Sequence, residues 1–380
     1  MKAWDKDKNG SLGPIEIDAV LADPKVTGDD AAAAAAIKCV ARDRFYRVRR
    51  IDLATVKDDL RAAQNPNPAV SEEWFTADWQ AAFEAARKRG QAFNAAGASA
   101  GVVAGAPNFA KMEIDAWGSS AFASVLAGVM LQRPDAVAAM VKESEKGLTV
   151  TTPLWSQQFG PITEGQAAAC STTGQSWVRA VECGLDVLNG ERFPQAVYDG
   201  QVADFGARFA RVQMYITLLT GKQSKVNLFR KATGMRTKDG WKYEPEGSPD
   251  GLASQSSQII GQVLAQKRLA IAMTHWGAIV AATVKGPATS GPLPRGIPGY
   301  TCFTIVSLDA KQKTITLWSP YGNDNAPGGA GASGGAAANG HAMTNGQWTM
   351  PLNDFVLVFA GYVVEDQNAA ALPGQSRGRK

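Results

Sequence analysis

The chain is poor in the side chains that most often carry chemistry at neutral pH. Its 380 residues include two histidines, His275 and His341, and four cysteines, Cys39, Cys170, Cys183 and Cys302. The cysteines lie far apart with no C-x-x-C spacing, which excludes the usual zinc cage and a small disulfide-stapled scaffold; buried thiols are the expectation. Excess charge is scarce too. The formal net charge is +4, and part of it falls in the terminal SRGRK, so no dense basic face is implied and nucleic acid is excluded as the expected partner. No apolar run reaches the roughly 18 residues of a membrane span, and the start MKAWDKDKNG has neither the basic region nor the apolar stretch of a secretory leader. These absences lead to the expectation of a soluble, cytoplasmic protein without membrane contact.

What is present is enough apolar material for two compact domains, or for one large domain with an appendage: 45% of the chain is hydrophobic. Residues 1–50 form one compositional unit. It has an Asp-rich loop, a short apolar helix ending at Pro24, and a helix over 27–50 built on six alanines, with Thr27 and Asp30 placed as a capping box. A helical linker, 51–104, follows. The run Asn65-Pro66-Asn67-Pro68 breaks it, since each proline disfavours helix at the residue before it. Over 71–89, Phe75, Trp79 and Phe83 recur four apart on one helical face, and Gly90 is the expected stop. The main domain, 105–365, reads as α+β: helical segments to about Gly221, then short strands between Gly/Pro-rich loops. Strands 301–308 and 314–318 are β-branched and aromatic runs joined by DAKQK, a hairpin of ordinary loop length. APGGAGASGGAAANG is low-complexity. A final strand is expected over 355–364, and a disordered basic tail over 366–380.

Residues 5–16, DKDKNGSLGPIE, match the twelve-position template of an EF-hand calcium loop. Calcium takes six to eight hard oxygen ligands. Asp5, Asp7 and Asn9 would supply side-chain oxygens, Ser11 its backbone carbonyl, Gly13 room for a water, and Glu16 a bidentate carboxylate. Gly10 permits the sharp turn, Leu12 can pack the loop against a partner, and Pro14 falls in the first turn of the exit helix, where its missing N–H costs little. Only four residues precede the loop here, too few for a full entering helix; the expectation is either a weak site or one that borrows its pairing from the helix over 27–50. The bland alternative is a solvated Asp/Asn turn that caps a helix.

Four further stretches resemble the core of calpain-family cysteine proteases. TITLWSPYGN followed by GQWTMPLNDFVLVFAG is similar to the end of that core, a strand, then Asn-Pro-Trp-Gly, then G-x-F-x-M-x-x-x-D-F; Pro320, Gly322, Gly346, Trp348, Met350, Asp354 and Phe355 match. The family's His-Ala-Tyr strand falls on Thr301-Cys302-Phe303. WGSSAFASVLAGVMLQRPDAVAAMV resembles its G-D-C-W helix, with Gly118 retained, and SWVRAVECGLDVLNG its Trp-Pro-x-x-x-Glu-Lys-Ala helix, with Trp177 and Glu182 retained. EF-hand modules beside such cores occur in bacterial members. The resemblance implies a papain-like fold over roughly 105–365.

It also shows what is missing. The family's oxyanion-hole Gln, nucleophilic Cys, general-base His and orienting Asn fall on Ile114, Ser120, Thr301 and Ser319. Ser120 would keep the helix dipole but lose the thiolate. Nothing at Thr301 takes a proton, and such help is worth about 10² to 10⁴ in rate; Ile114 offers no donor to an oxyanion. Cys302, one step along a strand, points to the opposite face. His275, in LAIAMTHWGAIV, reads as a strand-end histidine, and His341 lies in the glycine-rich loop. Tyr321, in place of the family's Trp, packs or walls a groove. The expectation is therefore a catalytically inactive core behind a Ca²⁺ loop, with a polypeptide ligand or protein partner in the cleft. The alternatives are an active peptidase with altered residues, a Ser120–His275 hydrolase among them, and a calcium-stabilised structural protein.

Overall fold

The computed structural model describes residues 2–41, 51–54, 72–95, 108–109, 112–114, 119–170, 172–173, 176–191, 204–237, 240–274, 301–322 and 344–369. In chain order these hold β1 (Ser11–Leu12), α1 (Pro14–Leu21), α2 (Gly28–Ala41), β2 (Ile51–Asp52), α3 (Glu72–Ala95), β3 (Glu113–Ile114), α4 (Ser120–Gln132) and α5 (Pro134–Ala138). Next come β4 (Val141–Ser144), β5 (Gly147–Thr152), β6 (Trp155–Phe159), α6 (Glu164–Ala169), β7 (Thr172–Thr173), α7 (Ser176–Glu191) and α8 (Asp204–Thr220). The last part contains β8 (Lys222–Leu228), β9 (Arg230–Thr237), β10 (Gly240–Pro245), α9 (Pro249–Ala265), β11 (Ala270–Thr274), β12 (Cys302–Asp309), β13 (Thr314–Trp318), β14 (Gln347–Pro351), α10 (Leu352–Val358) and β15 (Phe359–Ala369). The fold is mixed α and β with antiparallel sheets. No helix among the described residues is long and apolar enough to cross a membrane.

The chain divides into two compact units. The first takes Met1–Ala106 together with two later stretches, Met140–Val150 and Ser156–Gln195, that the sequence reading placed in the main domain. Here β1 pairs with β2, Leu12 opposite Ile51, both side chains fully buried, and the Leu53 amide donates to the Gly10 carbonyl at 2.8 Å. The pairing of the acidic loop thus comes from just beyond the 27–50 segment. Pro14 opens α1, and the Glu16 carboxylate reaches back to the Gly13 amide at 2.9 Å, one half of a capping box. Lys38 on α2 is ion-paired with Asp18 on α1 at 2.8 Å. Thr163 caps α6 in a full capping box with Gln166, and its hydroxyl also donates to the carbonyl of Leu21 at the end of α1.

Gly90 does not stop its helix. α3 runs on to Ala95, and Gly90 marks a close approach to α6: a Cβ there would sit 3.3 Å from Glu164 Cγ and 3.7 Å from Ala168 Cβ. One residue earlier, the buried guanidinium of Arg89 donates to the Ala168 carbonyl at 2.8 Å. A second correction concerns the segment read as helical up to Gly221. It contains the strands β4, β5 and β6, with Val141 opposite Val150 in the first hairpin.

The second unit comprises Pro107–Ala139, Thr151–Trp155 and Ala196–Lys380. Its centre is a six-stranded antiparallel sheet, β14-β13-β12-β11-β15-β8. Alternate residues serve two faces. Ala270, Ala272, Phe303, Ile305, Ile315, Leu317, Trp348, Met350, Tyr362 and Val364 share one core with Ile260 and Val263 of α9 and Leu352, Phe355 and Val356 of α10. Phe303 meets Trp348 edge-on at 5.1 Å; each such ring contributes on the order of 2 kcal/mol through burial. The opposite face carries α4. Gly128 lets it lie close, a Cβ there being 3.3 Å from Leu269 Cδ2 and 3.6 Å from Thr304 Cγ2. Phe122 of α4 in turn packs on Tyr215 of α8 at 5.6 Å.

The predicted hairpin over 301–308 and 314–318 is present as β12 and β13, with Asp309 opposite Thr314 and the Asp309 carboxylate accepting the Lys311 and Gln312 amides. The expected strand over 355–364 is corrected. Residues Leu352–Val358 are helix α10, started by Pro351 and burying Leu352, Phe355, Val356 and Val358 against α9 and the sheet, and β15 begins only at Phe359. β15 also outruns the expected boundary at 365, since Ala369 pairs with Lys222 and Lys225 holds Asp366 at 3.1 Å. His275, His341, Gly118, the 65–68 turn, the low-complexity loop and residues 370–380 of the tail lie outside the described residues.

Candidate functional site

α4 begins at Ser120 because Ser119 caps it, its extended backbone (φ −84°, ψ 97°) placing Oγ where it accepts the Phe122 amide at 3.2 Å. Ser120 is therefore the first helical residue, half-buried at the positive end of the helix dipole. Its Oγ accepts the amide of Cys302 at 3.2 Å. One turn on, Ser124 Oγ donates to the carbonyl of Cys302 at 2.8 Å, and Thr304 Oγ1 donates to the Ser124 carbonyl at 2.7 Å. β12 pairs with β11 on one side, Cys302 opposite Met273, and on the other side β13 ends at Trp318 opposite Thr304, so there the backbone of Cys302 is bonded by α4. Ser120 and Ser124, four apart on one helical face, hold both peptide groups of that residue.

Thr301 precedes Cys302 and is buried. Its amide donates to Thr274 Oγ1 at 3.0 Å and its carbonyl accepts the Thr274 amide at 3.0 Å. Cys302 is also buried, consistent with a core thiol. Ser319, with no exposed surface, sits in the turn after β13: its amide donates to the Gly346 carbonyl at 2.8 Å, and its Oγ accepts the Tyr321 amide at 3.2 Å. Gly346 has φ +74°, and a Cβ there would meet Trp318 Nε1 at 3.0 Å. The Ile114 amide donates to the Pro320 carbonyl at 2.9 Å, which sets buried Ile114 beside the Ser-Pro-Tyr-Gly turn. The structure thus joins Ser120 to the neighbour of Thr301, and Ile114 to the neighbour of Ser319. Tyr321 is half-buried.

Chemically, this arrangement offers the hydroxyls of Ser120 and Ser319, each accepting from a backbone amide, and that of Ser124, which donates to a carbonyl. Both histidines lie outside the described residues. Sequence reasoning missed Ser124, Thr274 and Thr304; the four-residue spacing of Ser120 and Ser124 was the available signal.

The acidic loop is a second place where functional side chains converge. Carboxylate oxygens of Asp5, Asp7 and Glu16 lie within 4.8 Å of one another. Asp5 accepts the amides of Asn9 at 3.1 Å and Gly10 at 2.9 Å; Gly10 has φ +83°, which the turn requires. Asn9 Oδ1 accepts from the Ser11 amide and hydroxyl, and Glu16 Oε1 accepts the Lys6 amide at 2.8 Å. Three carboxylates this close repel one another, and their donor set is all oxygen. That set fits a hard divalent cation.

No protein-family model matches the chain, and no curated protein matches it.

Proposed function

We propose that the chain is a calpain-like, papain-fold protein that retains the framework of a protease cleft without its catalytic set and acts as a binding or regulatory protein for polypeptides. The observation that carries the reading is the hydroxyl of Ser120, at the N-terminus of α4, bonded to the amide next to Thr301. This is where the resemblance sets a nucleophile beside a general base, and the side chains present are a hydroxyl and a threonine. The N-terminal loop is read as a calcium site held by Asp5, Asp7, Asn9, Ser11 and Glu16. The ion would neutralise the convergent carboxylates and fix the turn into α1.

Restoration of the family residues tests the reading. The quadruple variant Ile114→Gln, Ser120→Cys, Thr301→His, Ser319→Asn should be labelled at position 120 by a peptidyl thiol-directed electrophile. Ser120→Cys alone should label far more slowly, because catalytic groups act as a unit. Equal labelling of both variants, or no labelling of a quadruple variant with native circular dichroism, would contradict it.

A further inference from the structure

Cys170 and Cys183 are both buried, and their sulfurs lie 3.5 Å apart. Cys170 is the capping residue at the end of α6, and Cys183 sits in the first half of α7. Neither is joined in a disulfide. Their surroundings differ in one respect. Cys183 lines a cavity of about 280 Å³ whose walls include Ile15, Leu21, Lys38, Gln166 and Ala169, whereas Cys170 is not among its lining residues and its thiol faces the Arg179 carbonyl at 3.8 Å. A small polar oxidant therefore has room beside one sulfur, and the second sulfur stands in contact with the first.

We propose that Cys170 and Cys183 form a reversible oxidation site, in which Cys183 reacts with a hydroperoxide entering the cavity and Cys170 resolves it to a disulfide. Thiolate is the reacting form. In the first step the sulfur of Cys183 attacks one peroxide oxygen, the O–O bond breaks, and the displaced hydroxide takes up the thiol proton as water, leaving a sulfenic acid on Cys183. In the second step the sulfur of Cys170 attacks the sulfur of Cys183, the S–O bond breaks, and the hydroxyl leaves as water with the Cys170 proton. Two thiols and hydrogen peroxide become one disulfide and two waters, the two electrons passing from sulfur to the peroxide. The bond ties the end of α6 to α7, and so joins the α6 wall of the cavity, Gln166 and Ala169, to its Cys183 wall.

The test uses the full native chain with hydrogen peroxide, followed by denaturation, thiol titration and peptide mapping. Titratable thiols should fall from four to two, with one linked peptide pair carrying Cys170 and Cys183, and a dithiol should restore all four. A sulfenic-acid-trapping dione present during oxidation should modify Cys183 and lower the yield of the linked pair in proportion. In Cys170→Ser the dione adduct at Cys183 should accumulate instead of the disulfide. Retention of all four thiols, a linked pair that includes Cys39 or Cys302, or trapping at Cys170 in place of Cys183 would each overturn the proposal. The measurements on the native chain decide the matter even if Cys170→Ser fails to fold.

Discussion

The hydroxyl of Ser120 accepts the amide of Cys302 at 3.2 Å, a bond that fastens the first turn of α4 to the first residue of β12. Ser120→Ala leaves that amide, in a buried residue, without this partner. A lost bond of this kind costs about 1–3 kcal/mol. Urea unfolding should show the loss, with Ser124→Ala of similar size because it strips the carbonyl of the same residue. An unchanged midpoint for Ser120→Ala would mean that the hydroxyl is not a strap.

Calcium should bind the loop over 5–16. Calorimetry of the wild-type chain should show saturable heat, and Glu16→Gln, which removes the bidentate ligand, should weaken affinity by about tenfold or more. At free calcium 100 times the dissociation constant, the wild type should gain roughly 2.7 kcal/mol of stability. Equal heats for the two proteins would count against the site.

Gly165 meets α1 at a point where no side chain fits. A Cβ there would lie 2.8 Å from the Leu21 carbonyl oxygen and 3.1 Å from its Cα, and backbone atoms cannot swing aside as a side chain does. Gly165→Ala should destabilise the first unit by about 1–3 kcal/mol, read as an earlier thermal transition. An unchanged or later transition would show that α1 and α6 are not packed this tightly.

Tyr362 contributes an alkaline pH dependence. Burial raises its phenol above the ordinary value of 10.0, and a side-chain hydrogen bond with Ser256 partly offsets this. The folded state therefore keeps the proton to higher pH than the unfolded chain does. The stabilisation is fully present below about pH 10 and is lost as pH rises through the folded value. Tyr362→Phe should lose some stability at neutral pH but show a shallower alkaline decline in urea midpoint; parallel declines would contradict this.

The β12–β13 hairpin was legible because two β-branched runs flank the short, largely polar DAKQK, and the start of α4 through the resemblance of WGSSAFASVLAGVM to the G-D-C-W helix, which sets Ser120 first. Helix α10 was not: FVLVF has the composition of a strand, and helix prevails because residues from Pro351 onward place Leu352, Phe355 and Val356 against α9. Gly90 reads as a stop in isolation, and only the presence of Glu164 and Ala168 shows it to be a contact. In the candidate site, Ser120, Thr301, Ser319 and Ile114 were legible as positions. Their bonds run to Cys302, Thr274, Tyr321 and Pro320, and two of these lie 182 and 27 residues away, separations that no local pattern encodes. The contact between Cys170 and Cys183 escaped for the same reason.

Turnover tests the proposed loss of the catalytic set most directly. The unmodified chain, with and without calcium, should release no peptide from casein-like substrates above the rate of the Ser120→Ala variant. Robust hydrolysis by the unmodified chain that Ser120→Ala abolishes would contradict the account and establish a peptidase with altered catalytic residues.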